Sequence, residues 1–172
     1  SNRINTILVF RAYPIRVAGN SGPMPGEISW VELADRINSR RKKLGMRVLV
    51  EQAAVDAFKN AEASAKEQLG IPDSRIESMT KEQREQHRDA LSKVHQTALG
   101  MLSKEQIAEL RRLFEITTVT KKLRRIAELD ESMVKKAIAL NNPKFVFMNF
   151  MNYAFPECWG LRSWKSIMKL ST

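Results

Sequence analysis

Apolar residues recur at spacings of three and four over Val50, Ala54, Phe58, Ala61, Ala65 and Leu69. That rhythm puts them on one face of an α-helix, which Gly70 should end and Ile71-Pro72-Asp73 should break. The narrow, Ala-rich face suits close packing against another helix. Two capping boxes follow, Thr80-x-x-Gln83 and Ser103-x-x-Gln106, predicting helices to about Leu99 and to about Leu113. Residues 46–113 therefore read as a continuous helical stretch, with an exposed polar end at 80–89.

The flanks carry a different pattern. Residues 5–17 (NTILVFRAYPIRV) are rich in β-branched and aromatic side chains and predict one strand, or two with a kink at Pro14. They run into 18–27, a loop holding three of the seven glycines and two of the six prolines. Ser29-x-x-Glu32 predicts a capping box and a short helix to about Asn38, followed by the basic run Arg40-Arg41-Lys42-Lys43. Beyond the helical stretch, 114–119 predicts a strand feeding the basic loop TKKLRR. Asp130 caps a helix to Leu140 with Met133, Ala137 and Leu140 on one face. Residues 144–148 (KFVFM) have the character of a buried parallel strand, and an amphipathic helix from about Leu161 carries Trp164, Ile167 and Met168. The expected fold class is α/β, a partial mostly parallel sheet with flanking helices and an inserted helical subdomain. Residues 1–45 and 114–172 form its α/β part, and 46–113 form the insertion.

Charge sharpens this division. The net charge is +10, yet 46–113 holds 11 basic and 11 acidic residues and is neutral. The whole surplus sits in the flanks, with 18 basic against 8 acidic residues, which points to one surface that meets an anion. Nucleic acid, a nucleotide phosphate or a dicarboxylate would each satisfy it. No apolar run reaches the ~18–20 residues of a membrane helix. One cysteine, Cys158, rules out an intramolecular disulfide and fits a reducing, cytoplasmic setting.

The segment RAYPIRVAGNSGPMPGE at 11–27 resembles the stretch of the adenylosuccinate synthetase family that ends a strand and turns beneath the nucleotide. ITTVTKKLRRIAELD at 116–130 is similar to that family's amino-acid substrate loop, and the helix VKKAIALNN and strand FVFMN follow in family order. The resemblance covers about half of the chain. It implies a C–N ligase that joins aspartate to the 6-position of an IMP-like purine nucleotide, using Mg and GTP or ATP in the full-length protein. It implies that Arg16 and Val17 contact the ribose while Gly19, Gly22 and Pro23 shape the turn below it. Thr117 and Thr118 would offer amides and hydroxyls to aspartate. Arg124 and Lys122 would grip its carboxylates, with Arg125 supporting the loop.

The family pattern is Thr-Thr-Gly-Arg-x-Arg-Arg; taken from Thr117-Thr118, the loop here is two residues longer and lacks the Gly and the first Arg. The family follows its last strand with Lys-Leu-Asp, whose Asp reads guanine; here Asn149 and Asn152 stand nearby and suit adenine. Neither a Gly-x-x-x-x-Gly-Lys pattern nor the family's catalytic Asp and His falls in this chain, so by itself it is expected to bind no Mg or triphosphate and not to turn over.

Other residues are read more plainly. His87 and His95, eight apart on one helix with no Cys or carboxylate at ligand spacing, do not suggest zinc. The tryptophans are core or interface anchors, and no interleaving of aromatic and basic residues favours nucleic acid. A homodimer is left open. Set against the ligase reading is a non-catalytic basic module that binds nucleic acid or a protein partner, its Lys121–Arg125 run simply solvated.

Overall fold

A computed structural model describes residues 6–19, 22–71 and 79–160. The chain is a mixed α/β protein, in the order β1 (Ile7–Arg11), β2 (Ile15–Arg16), β3 (Glu27–Ile28), α1 (Trp30–Lys43), α2 (Gln52–Leu69), α3 (Lys81–Gly100), α4 (Lys104–Leu110), β4 (Arg125–Ala127), α5 (Glu131–Asn141), β5 (Phe145–Asn149) and α6 (Met151–Ala154). A 3₁₀ turn at Pro156–Cys158 follows.

Local chemistry sets most of the helix ends. Thr80 and Ser103 each accept from the third helical amide, and Gln83 and Gln106 reach back to the cap amide, so both capping boxes close. Gly70 ends α2 in the left-handed conformation, and Asp130 opens α5 by accepting from the amides of Ser132 and Met133. Ser29 caps α1 by accepting from the Glu32 amide at 3.0 Å, but Glu32 turns its carboxylate to Arg36 instead of closing the box. The predicted stop near Asn38 is overrun. The helix continues through Arg40–Lys43, cations that suit the negative end of a helix dipole. Asn38 is itself buried, donating to the Val50 carbonyl at 2.8 Å and accepting from the Leu49 amide at 2.9 Å.

One hydrophobic cluster joins α1 through α4 to the antiparallel sheet. Phe58 of α2 and Phe114 meet edge-on at 5.5 Å, and Trp30 of α1 stacks on Phe114 at 5.9 Å. Burying a side chain such as Phe58 contributes about 1.5–3 kcal/mol. Ala54, Ala61 and Ala65 are buried on α2, as are Val94 and Ala98 on α3, and these small side chains let the two helices run close together. The helical stretch and the flanks therefore share one core.

The strands fall into two sheets. Pro14 separates β1 from β2: it has no amide to give a ladder, and its carbonyl accepts from Ala127 at 3.0 Å. β1 pairs parallel with β5, Ile7 opposite Phe145 and Arg11 opposite Asn149. β2 and β3 pair antiparallel with the two sides of β4, and Ile15 and Ile28 both lie opposite the fully buried Ile126.

Two expectations are corrected here. Residues 114–119 form no strand; Ile116 makes an isolated bridge to Leu123, and the strand is β4, on the far side of the turn. β5 is parallel as expected but not buried: Phe145, Val146, Phe147 and Met148 are 52%, 43%, 55% and 43% exposed, so both faces are open. Met133 and Leu140 of α5 are likewise uncovered. The helix expected from about Leu161 lies outside the described residues.

Candidate site between the strand-2 loop and the basic hairpin

The two motifs, 109 residues apart from Arg16 to Arg125 along the chain, meet on neighbouring strands. Arg16 of β2 lies directly opposite Arg125 of β4. Val17 and Arg124 are the next residues outward on each strand, and Val17 is well exposed. Two arginines facing each other across a ladder repel, and the structure resolves this with a third strand. The Arg125 guanidinium forks onto Glu27 at the start of β3, Nε to Oε1 at 2.7 Å and Nη2 to Oε2 at 2.6 Å. Its remaining Nη1 donates to the carbonyls of Gly22 at 3.0 Å and Gly19 at 3.4 Å. The Arg125 side chain is only 9% exposed. It holds the backbone at Gly19 and Gly22, and its charge is spent inside the protein.

The same loop is fixed from two other sides. Arg16 Nη1 donates to the Pro23 carbonyl at 3.3 Å. Gly19 has a φ of 77°, and a Cβ there would come within 3.2 Å of Asp89 Oδ1 on α3. A side chain at this position would be strained in its backbone and crowded by the helix, which is the physical reason for glycine.

The basic loop is a tight hairpin. The Arg124 amide donates to the Glu115 carbonyl at 3.0 Å and the Thr117 amide to the Lys122 carbonyl at 2.9 Å. The Thr117 hydroxyl accepts from the Lys122 amide at 2.9 Å and meets the Thr120 hydroxyl at 2.6 Å. Both donors of Thr117 thus serve the turn. Thr118 stands exposed at the tip. Lys121 has a φ of 51°, left-handed backbone that favours glycine. The Trp30 indole donates to the Arg124 carbonyl at 2.5 Å and ties the hairpin to the core. Arg124 Nη1 lies 3.7 Å from Glu115 Oε2, a loose pair with both partners partly exposed, and the Lys122 side chain reaches into solvent.

At the other end of the site an aromatic group packs around Tyr153. Phe150 stacks on it at 5.8 Å, Tyr13 and Trp159 meet it edge-on at 5.8 and 5.2 Å, and Arg11 sits over the Phe150 ring at 4.9 Å. Burial pushes the Tyr153 phenol up to about 12, Glu115 adds to the rise and Arg11 opposes it. Asn149 lies at the carboxyl end of β5, where its carbonyl accepts from Ala12, and Asn152 is half-buried on α6. These two residues belong to this aromatic end, away from the Arg16–Arg125 pair. Sequence reading did not single out Arg11, Glu27, Glu115 or Tyr153. Only Arg11 and Glu27 lay inside a motif.

Among the described residues no group of three His, Cys, Asp or Glu is placed to hold a metal ion. Glu27 and Glu115, the carboxylates beside the site, are turned to arginines, so these residues do not fit a metal–triphosphate site. His95 Nε2 lies 3.6 Å from Glu62 and its ring packs on Phe58. Burial lowers the His87 pKa, helped by Lys66 and Arg88. No described helix is long and apolar enough to cross a membrane. Comparison of the chain with protein families, curated proteins and solved structures gives no match.

Proposed function

We propose that this chain is the amino-acid- and ribose-binding part of an adenylosuccinate synthetase-like ligase. The carrying observation is the β2–β4 register, which lays the Arg16-Val17 strand end beside the hairpin that carries Lys122 and Arg124.

In this reading the residues divide by what they still have free. Lys122 and Arg124 bind the two carboxylates of aspartate, with Thr118 at the hairpin tip. Arg124 can do so because a substrate carboxylate need only displace the loose Glu115 contact. Arg125 supports the turn at Gly19 and Gly22, and Arg16 with the Val17 backbone meets the ribose above it. In the full-length ligase the 6-oxygen of the purine takes a phosphoryl group from a nucleoside triphosphate. The aspartate amine then forms the new C–N bond as phosphate leaves. Mg and GTP or ATP would serve that transfer in the full-length protein, with Asn149 and Asn152, in place of an acidic base reader, suiting adenine.

Calorimetric titration with L-aspartate at constant ionic strength tests this. Each charge-assisted bond contributes about 1.5–3 kcal/mol, so binding is expected in the millimolar to micromolar range. Lys122→Ala and Arg124→Ala should each weaken it at least tenfold. Equal heats from L-aspartate, D-aspartate and chloride would sink the proposal. A second reading, a non-catalytic module for a protein partner, is favoured by the open faces of β1 and β5 and predicts no aspartate dependence.

A further inference from the structure

A second cleft, of about 560 Å³, lies where the end of α3, the α3–α4 turn and α4 meet the basic hairpin. Its volume is within the ~300–1,000 Å³ of ordinary small-molecule sites. The wall is apolar: Leu99, Leu102, Ile107 and Ile116 face it. Three cations, Lys104, Arg111 and Lys121, border it, and no acidic side chain lines it. All three are exposed and make no ion pair among the described residues. Of the two acids on α4, Glu105 bonds to the Ser103 side chain and its own amide at the helix start. Glu109 pairs with Arg112 at 3.2 Å and accepts from the Glu51 amide at 2.9 Å. A hydrophobic hollow ringed by three unneutralised cations complements a molecule with an apolar body and a multiply charged anionic head.

We propose that this cleft binds an organic phosphate, a phosphate monoester with a compact apolar body. The site is separate from the Arg16–Arg125 surface and does not depend on the ligase reading. Since Lys121 and Ile116 belong to the hairpin, an occupant would also hold the hairpin against α4.

The test uses 1-naphthyl phosphate as the probe, with inorganic phosphate and 1-naphthol as its two halves, titrated by fluorescence or calorimetry at fixed ionic strength. The intact probe should bind at least tenfold more tightly than either half. The exposed pair Lys104→Glu/Arg111→Glu should weaken it at least tenfold, and so should Ala108→Trp, which fills the cleft from an exposed position. The fold of each variant is checked by circular dichroism, and the 1-naphthol titration reports whether the apolar wall survives. Naphthol binding as well as the phosphate would reduce the cleft to an apolar patch. Inorganic phosphate binding as well would reduce it to surface charge. Unchanged probe affinity in both variants would place the binding elsewhere. Any of these overturns the proposal.

Discussion

The Arg125–Glu27 pair predicts an asymmetric double-mutant cycle. Arg125 is 9% exposed and Glu27 36%, so the two truncations leave different things behind. Glu27→Ala removes the carboxylate from a buried guanidinium that still has the Gly19 and Gly22 carbonyls. An unpaired buried charge costs about 3–5 kcal/mol, and the lower end applies because those carbonyls remain. Arg125→Ala leaves a carboxylate that can reach water and two loop carbonyls at the edge of solvent, a loss of about 2 kcal/mol. With both removed, nothing charged is left buried, so the double variant should be no worse than Arg125→Ala, giving a coupling energy of about 3 kcal/mol or more. Urea unfolding of the four proteins measures it, and proteolysis within the 18–27 loop reports whether Arg125 holds that loop. Additive losses, with coupling below about 0.5 kcal/mol, would refute the view that Arg125 is held inside the protein by Glu27.

Other expectations come from single sites. Asn38→Ala leaves the Leu49 amide and Val50 carbonyl unpaired in the core and should cost about 2–3 kcal/mol in urea unfolding. Lys121→Gly should stabilise by about 0.5–1 kcal/mol by relieving a left-handed backbone; destabilisation would mean that φ of 51° carries no strain. The Tyr153 phenol is raised from 10.0 to about 12, so the folded state favours the neutral form. Its contribution is complete below pH 10 and is lost as pH rises toward 12, because the unfolded chain ionises first. Tyr153→Phe should flatten that alkaline fall, and a phenolate absorbance titration should show one tyrosine ionising late. Hydrogen exchange should be fast at the amides of β1 and β5 and slow in α2 and β4, since only the latter are backed by the core.

Features set by neighbours in sequence were readable in advance. The caps at Thr80, Ser103 and Asp130 and the stop at Gly70 each need residues within a few positions, and all appear as expected. Features set by distant partners were not. ITTV at 116–119 has the composition of a strand, but the Thr117 hydroxyl turns the chain there. The strand falls to Arg125-Ile126-Ala127, the segment with partners on both sides. The resemblance brought Arg16 and Arg125 to attention but not the reason they can stand opposite each other. That reason is Glu27, 98 residues from Arg125 and unremarkable in its own segment.

The protein divides into a part that is packed and a part that is not, and the candidate site belongs to the first. Parallel strands normally lie under cover on both faces. In β1 and β5 the paired residues Ile7 and Phe145, and Val9 and Phe147, are all more than half exposed, while Val146 and Met148 of the alternate set are exposed too. A ladder of two strands contributes little by itself, so the pair cannot be what positions the chemistry next to it. The site instead hangs from Ile126, at 0% exposure between β2 and β3, and from the Trp30 indole that grips the hairpin at Arg124. Disturbing β1 or β5 should therefore leave the Arg16–Arg125 geometry standing, whereas a change at Trp30 reaches the core and the hairpin together.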